Sequence, residues 1–351
     1  MTHLIDLQTS YTIHELTDAD EVRWDSFVAT CPEATFFHRA GWRKVIQRSF
    51  GHRVHFLYAE RNDVILGILP LVEVKSFLFG HAMISTGFCI HGGPATIEAG
   101  ARRALNAHAE ALFLKSGASY LEYRWPEKPN DNWQTRDNLY ANFCGPLPAA
   151  EDLNLKQIPR KQRAVVRKAM DSKLTWSVES SVDNLYNLYA VSVRNLGTPV
   201  FPKRYFANLV SVFQPDCDVL TVFSDGAPVA SVLNFYFKGK VMPFYTGSIP
   251  GARRLGANDL MYWRLMRHAA AKGCTEFDFG RSKVGTGPYD FKKNWGFEPR
   301  PIAHQFLTRP GVAIPNINPL NPKYRLMIAA WKKLPLFVAN RLGPVIVRNI
   351  G

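Results

Sequence analysis

The sequence predicts a mixed α/β (α+β) protein built as two tandem copies of one domain, with a basic extension behind them. Length is the first observation: 351 residues favour two domains over one and allow a sizeable core. Composition is the second, because 46% apolar and 21% charged residues describe a globular chain rather than a disordered one. An internal repeat is the third. A hairpin, a glycine-bearing strand, a helix and a further strand recur in that order in both halves.

In the first half, Val54–Glu60 reads as a strand, Arg61-Asn62-Asp63 as a turn and Val64–Val74 as the hairpin partner. A strand near Met83–Phe88 and an amphipathic helix near Ala99–Lys115 follow, and Gly117 ends the helix as a left-handed cap. Ala118–Tyr123 is the next strand. The second half repeats this with Asp218–Phe223, the turn Ser224-Asp225-Gly226, Val229–Phe237, a strand at Val241–Gly247, a helix at Asn258–Lys272 capped by Gly273, and Cys274–Phe279. Placing Gly117 on Gly273 also superposes Glu122 on Asp278 and Tyr123 on Phe279. Two unrelated α/β units would look alike at this level, so that reading stays open. Gly145-Pro146-Leu147-Pro148 marks a boundary, which divides the chain into residues 1–150, 151–309 and a tail, 310–351. A helix over 160–171 opens the second copy, and Pro310, Pro315, Pro319 and Pro322 break the chain before a helical stretch at Tyr324–Leu342.

Five scattered cysteines with no C-x-x-C pair argue against a disulfide framework or thiolate zinc site and for a reducing compartment. Met1–Asp6 shows no secretory pattern and no run approaches a membrane span, so a cytoplasmic location is expected. Histidines show no H-E-x-x-H and a single H-x-x-H spacing, His52-Arg53-Val54-His55, which falls at the start of the Val54–Glu60 strand, and neither a G-x-S-x-G elbow nor a phosphate-binding G-x-x-x-x-G-K-[ST] loop occurs. No metal and no tightly bound cofactor are therefore expected. The formal charge of +14 directs the protein toward anions. After Glu298 no acidic residue remains, while Arg300, Arg309, Lys323, Arg325, Lys332, Lys333, Arg341 and Arg348 supply eight positive charges.

The chemistry concentrates between Tyr245 and Phe297. A basic turn, Arg253-Arg254-Leu255-Gly256, leads into the helix; Asp278-Phe279-Gly280-Arg281 ends a strand; and Tyr289-Asp290-Phe291-Lys292-Lys293 closes the stretch before Trp295. Catalytic groups collect where strands hand over to loops. This order resembles the second half of the Fem family, the aminoacyl-tRNA-dependent transferases that attach residues to peptidoglycan precursors. The matching phrases are A-N-D-L-M-Y-W-R-L-M at 257–266, D-F-G at 278–280 and Y-D-F-K-K at 289–293, within a likeness running from about Phe36 to Phe297. It implies two tandem GNAT-like acyltransferase domains, the fold that Fem enzymes carry in duplicate.

That resemblance sets Lys292 beside the transferred acyl group, where an ammonium stabilises the oxyanion of a tetrahedral intermediate or binds a donor phosphate. From residue type alone, Lys292 and Lys293 read as a solvated pair on a turn. Phe291, Tyr289 and Trp295 are expected to wall the site. Tyr245, Asp278 and Arg281 sit near strand ends; Asp278 is a candidate to orient the acceptor amine or take its proton, or to serve the scaffold as Glu122 would in the first copy. Arg253–Asn258 spells R-x-x-G-x-N, close to the Q/R-x-x-G-x-G/A turn with which GNAT domains hold the acyl-CoA pyrophosphate on helix N–H groups. Arg254 and Gly256 are the candidates there, and Asn258, which departs from that pattern, is expected to be an N-cap. Arg160, Arg163 and Arg167 share a face of the next helix, able to track a phosphate backbone or simply to face water. The turn Gly197–Pro202, with Arg204 and Tyr205, resembles a loop in a Fem-like subfamily linked to protein-sorting and exopolysaccharide systems.

The expected function is an N-acyltransferase of cell-envelope or exopolysaccharide metabolism, moving an acyl group from acyl-CoA or aminoacyl-tRNA onto an amine. The alternative is a non-catalytic adaptor of an envelope-polymer assembly system. The long helical hairpin arm that some Fem enzymes insert is missing, since Cys144–Pro159 is too short. Residues 323–348 mix aromatic, aliphatic and basic side chains, which suits peripheral contact with an anionic membrane or a strap packed on the body.

Overall fold

Alternating apolar runs joined by tight turns give this chain its strands, and these merge into a single sheet. The computed structural model describes residues 11–76, 80–314 and 322–350; Met1–Asp6, Pro315 and Pro319 lie outside them. The first half contains β1 (Thr12–Glu15), α1 (Glu21–Thr30), α2 (Gly41–Phe50), β2 (Arg53–Arg61), β3 (Val64–Ser76) and β4 (Gly80–Ser85). After these come β5 (Ala95–Thr96), α3 (Ala99–Ser116), β6 (Tyr120–Arg124) and β7 (Gln134–Pro146). The second half opens with α4 (Glu151–Gln157) and α5 (Arg160–Met170), then β8 (Thr175–Glu179), α6 (Asp183–Leu196), α7 (Lys203–Phe213), β9 (Cys217–Ser224), β10 (Ala227–Phe237) and β11 (Lys240–Ser248). It continues with α8 (Ala252–Leu255), α9 (Ala257–Ala271), β12 (Glu276–Lys283), α10 (Gly287–Asn294) and β13 (Pro299–Thr308), and the tail forms α11 (Pro322–Lys332) and α12 (Leu336–Val347).

Strand order is β1-β2-β3-β4-β6-β13-β7-β12-β11-β10-β9-β8, with β5 paired to β3. This order reads as a palindrome of two equivalent units, which makes the internal repeat a structural fact. Asn62 and Asp63 turn β2 into β3 with both φ values positive, at 52° and 60°, and Asp225 and Gly226 do the same between β9 and β10 at 49° and 79°. Paired positive-φ turns match the right-handed twist of the strands they join. In each half the last meander strand then runs parallel to the next one, Ala82 opposite Tyr120 and Lys240 opposite Glu276. A helix makes each crossover, α3 and α9, and Gly117 (φ 76°) and Gly273 (φ 84°) end them in the left-handed region.

The centre of the palindrome shows an exchange. β7, the last strand of the first half, pairs with β12 of the second, and β13, the last strand of the second, pairs with β6 of the first. Gly145 and Pro146, read from sequence as the start of a linker, are the final rungs of β7, opposite Phe277 and Glu276. On one face α3 and α9 cover separate cores. On the other, α1, α2, α6 and α7 bury one aromatic core that crosses between the halves, with Phe36 stacked on Phe235 at 4.4 Å and Phe50 on Phe88 at 4.3 Å.

Three local expectations change. The strand near Met83–Phe88 stops at Ser85, because Thr86 and Phe88 take φ values of 43° and 68°. Asn258 does not cap its helix: α9 starts at Ala257 after a left-handed Gly256, and the Asn258 side-chain oxygen is buried without a partner. The tail helix is two helices split at Pro335, whose ring cannot continue α11. These pack on α6 and the loop after it, for a Cβ on Gly197 would come within 2.4 Å of Ile328 and one on Gly343 within 2.8 Å of Val200. Their outer face leaves Leu326, Met327, Phe337 and Val345 exposed.

Candidate active site

β11 and β12 are hydrogen-bonded only at Lys240↔Glu276 and Val241↔Phe277, although both strands continue for several residues. The Lys240–Glu276 ion pair of 2.7 Å sits at the closed end. Two irregularities lie along the parting strands. β11 carries a register shift that leaves Phe244 between the partners of Leu233 and Asn234, and β12 shifts between Asp278 and Gly280. Gly280 has a φ of 71°, a conformation glycine adopts at no steric cost. The bulge turns the Gly280 N–H onto Asp278 Oδ1 at 2.9 Å, and Asn142 donates to the same oxygen at 3.0 Å.

Lys292 lies under this bulge. Its segment is the helix α10, opened by Gly287-Pro288, rather than a loop. The helix sends Lys292 inward and Lys293 outward, so one lysine of the pair is buried and the other is exposed. Lys292 Nζ donates to Gly280 O at 2.8 Å and Arg281 O at 3.1 Å, and it faces the rings of Phe143 and Phe279 at 5.5 and 5.7 Å. No carboxylate pairs with it among the described residues. Burial pushes its pKa down to about 7; Asp278 opposes this and Arg281 adds to it. An ammonium has three donors, so one remains for a ligand. Burial also raises the Asp278 carboxyl above its ordinary range, against the Gly280 N–H and the Asn142 amide.

Phe291 and Trp295 line the α9 side, where Tyr262 packs on Phe279, Phe291 and Trp295 at 4.7, 5.6 and 6.3 Å. Tyr289 stands edge-on to Phe143 at 5.2 Å. These aromatic walls explain why the lysine is dry. Lys292, Asp278, Phe291 and Tyr289 are thus brought together around one strand end, which Arg281 joins through its backbone carbonyl while its side chain turns to the opposite face.

The other candidates are placed elsewhere. Tyr245 is buried among Tyr189, Tyr205 and Phe206, with its hydroxyl 2.9 Å from that of Tyr205 and its pKa driven up by burial. Arg204, behind the prolyl turn, binds Ser49 O and so ties the halves together. Arg163 donates to the carbonyls of Lys156 and Ile158, closing the end of α4, while Arg160, Lys161, Arg167 and Lys168 are exposed. Arg254 is exposed on α8, and Gly256 caps that turn against Ala169 of α5. The first turn of α9 already holds a carboxylate, Asp259, which is buried and bonded to Gln162 at 2.5 Å.

Sequence reasoning missed a cavity of about 190 Å³ on the opposite face, lined by Tyr120, Glu122, Arg124, Tyr140, Arg281 and His304, together with Arg136 and Ile350. Apart from Ile350 of the tail, its residues come from β6, β7, β12 and β13, the strands of the exchange. The alternation Tyr120-Leu121-Glu122-Tyr123-Arg124, with two charges on one face of a strand, was the signal available. Among the described residues no cluster of His, Cys, Asp or Glu is placed to hold a metal ion.

Residues 155–293 match the family described as "Acetyltransferase (GNAT) domain". No curated protein sequence matches the chain. Among solved structures, FemX is similar over 90% of this chain and 100% of its own, with a TM-score of 0.68 at 15% identity. The C-terminal domain of a putative lysylphosphatidylglycerol synthetase from Agrobacterium fabrum matches 82% of this chain and 91% of its own, at 14% identity and a TM-score of 0.55. A tandem GNAT protein from the clavulanic acid biosynthesis pathway covers 85% and 98% at 15% identity, with a TM-score of 0.53. The fold is therefore GNAT-like and doubled, with one mixed sheet running through both units.

Proposed function

We propose, from a doubled GNAT-like fold whose second half matches an acetyltransferase domain, that the protein is an N-acyltransferase with its reaction centre where β11 and β12 part. The observation that carries the reading is Lys292, a buried ammonium fixed by two carbonyls and left without a counter-ion. Such a group has little structural reason to be charged and is well suited to an oxyanion that forms only during reaction. The acyl carbonyl would lie against the third N–H of Lys292, and an amine would add to its carbon. The tetrahedral oxyanion is held by Lys292 and collapses with loss of the carrier's thiol or ribose hydroxyl. Asp278 orients the incoming amine, and Phe291 and Tyr289 exclude water.

The donor is proposed to be an acyl or aminoacyl group on a polyanionic carrier, coenzyme A or tRNA. Exposed Arg253 and Arg254 and the exposed cations of α5 border the start of α9 and give that edge a positive field. The buried Asp259 carboxyl, bonded to Gln162, occupies the first turn of α9 where a CoA pyrophosphate would meet the helix N-terminus, which favours the tRNA arm. Equilibrium binding at physiological salt tests this, with aminoacyl-tRNA, uncharged tRNA and acyl-CoA as competitors. Preference for charged tRNA supports an aminoacyl donor, preference for acyl-CoA a thioester donor, and binding of neither overturns the transferase reading.

The pH dependence follows from Lys292. The folded enzyme holds it charged below about pH 7 and loses that charge above. The acceptor amine gains reactivity as pH rises, so kcat/KM is expected to be bell-shaped with its alkaline limb near pH 7. In Lys292→Arg, which stays protonated, that limb should disappear. An unshifted limb would assign it to another group.

The tail is proposed to hold the protein at anionic membrane, in keeping with a role in envelope metabolism. Leu326 and Phe337 are 84% and 76% exposed beside Arg325, Lys332, Lys333 and Arg341, with no acid nearby in sequence. No described helix is long and apolar enough to cross a membrane, so the contact is peripheral. Leu326→Asp with Phe337→Asp should abolish co-sedimentation with phosphatidylglycerol vesicles without lowering Tm. Unchanged sedimentation rejects the contact.

A further inference from the structure

Asn142 is a buried amide with an unused acceptor. It lies on β7, a strand of the first half, and is 3% exposed. Across the sheet it faces Arg281, two positions from Cys144, the direct partner of Asp278. Residues two apart on a strand share a face, so Asn142 and Asp278 form a diagonal pair. Asn142 Nδ2 donates to Asp278 Oδ1 at 3.0 Å, beside the Gly280 N–H at 2.9 Å. A carboxylate only accepts, which fixes the amide with its oxygen turned away from Asp278. That oxygen, Oδ1, is buried and has no partner. Buried acceptors are normally paired, so this exception needs an explanation. Asp278 is half-buried, and its second oxygen, Oδ2, takes no hydrogen bond among the described residues. Two neighbouring acceptors are thus free beside the reaction centre.

We infer that Asn142 is a specificity-determining residue, whose Oδ1 and the Asp278 carboxylate together hold the two N–H groups of a primary amine acceptor. This deepens the transferase reading and rests on it. A free primary amine has two N–H bonds and one lone pair. With both hydrogens held, the lone pair points away from the two acceptors, toward the acyl carbon. Lys292 meets the β12 bulge from the side of Phe143 and Phe279, rings of the α9 core, and Asp278 stands on the other side. A carbonyl lodged where β11 and β12 part therefore has the ammonium at its oxygen and the amine at its carbon. The nitrogen lone pair forms the N–C bond, and the carbonyl π pair moves to the oxygen against Lys292. Asp278 takes one proton from the nitrogen. The adduct then expels the carrier's sulfur or ribose oxygen, which receives that proton and leaves as thiol or hydroxyl. A secondary amine or an alcohol offers a single hydrogen and leaves one acceptor unpaired. A site built for two donors rejects such analogues. The strand exchange contributes here, since it lends the second unit a side chain that the first encodes.

The probes are ethylamine, dimethylamine and ethanol, which share a heavy-atom count, and tetramethylammonium, a cation without N–H. Protein labelled with 15N-asparagine reports binding through the Asn142 side-chain amide, assigned by its loss in Asn142→Leu. Ethylamine is expected to shift this signal saturably, whereas ethanol and tetramethylammonium are expected not to. Acyl transfer is then measured with acetyl-CoA and alanyl-tRNA as donors. The kcat/KM ratio of ethylamine to dimethylamine should fall at least about tenfold in Asn142→Leu. Losing the hydrogen bond to Asp278 weakens both amines alike, so a merely structural role leaves that ratio unmoved. No saturable shift with ethylamine, an equal shift with ethanol or tetramethylammonium, or an unchanged ratio overturns the assignment. A saturable ethylamine shift in a protein that transfers nothing from either donor rejects the transferase reading and keeps the amine site. If Asn142→Leu fails to fold, the binding arm still decides, with Asn142→Ser for the assignment.

Discussion

Lys292→Ala is expected to lower acyl-transfer kcat by about two to three orders of magnitude, the cost of removing one preorganised oxyanion donor. KM for the donor should change far less, since the ammonium acts on charge that develops in the transition state. Circular dichroism and Tm should remain close to the parent. The substitution leaves the Gly280 and Arg281 carbonyls short of a donor, but it also removes a buried charge that no carboxylate balances. The sign of the second effect is checked by pH. Between about pH 7 and the ordinary lysine value of 10.5 the unfolded chain binds a proton that the folded one has released, so stability due to Lys292 rises with pH across that window. The Tm difference between parent and variant should move in the parent's favour over the same range. Transfer that survives the substitution would remove Lys292 from the chemistry, and a cellular role kept without transfer would favour the adaptor alternative.

Gly247→Ala is expected to destabilise the fold by at least about 3 kcal/mol, near the upper range for overpacking. Gly247 of β11 faces α6 so closely that an added Cβ would stand 2.1 Å from Tyr189 N and 2.4 Å from Leu188 C. Both atoms are helix backbone, so no rotamer change can relieve the clash. Only a shift of α6 would, and α6 also supports the Tyr189–Tyr245 contact and the tail. A Tm fall of at least about 4 °C should follow. Gly251→Ala is the control, with nothing nearer than 3.9 Å and a φ of −87°. Equal Tm values for the two variants would show that α6 can yield and that the β11 contact is soft.

Much of this fold was legible because it is written locally. Asn62-Asp63 and Asp225-Gly226 announce hairpins, and Gly117 and Gly273 end helices, through backbone preferences that act over a few residues. Lys292 was legible only through a likeness to other sequences, for nothing in Lys292-Lys293 states which lysine turns inward. That choice belongs to α10, whose helical period separates the two. Tyr245 was read as a site residue from its strand end, whereas an aromatic core assembled from α6, α7 and β11 encloses it. Arg163 was read as a phosphate contact, and two carbonyls across a turn claim its guanidinium. The cavity was out of reach. Glu122 and His304 are 182 positions apart and meet through strand pairing that no local pattern encodes.

The exchange of β7 and β13 has a consequence for how the protein is made. During synthesis the first half leaves the ribosome with β6 as an open edge, and the strand that covers it, Pro299–Thr308, is translated long after it. β7 waits likewise for β12. Neither half can finish its sheet while the other is missing, so completion of the sheet waits for residues 276–308. An unpaired edge is a template for the wrong neighbour. A chain interrupted before Pro299 keeps the β6 edge open and is expected to aggregate more readily than one that includes β13, which light scattering of a fragment ending at Glu298 would check.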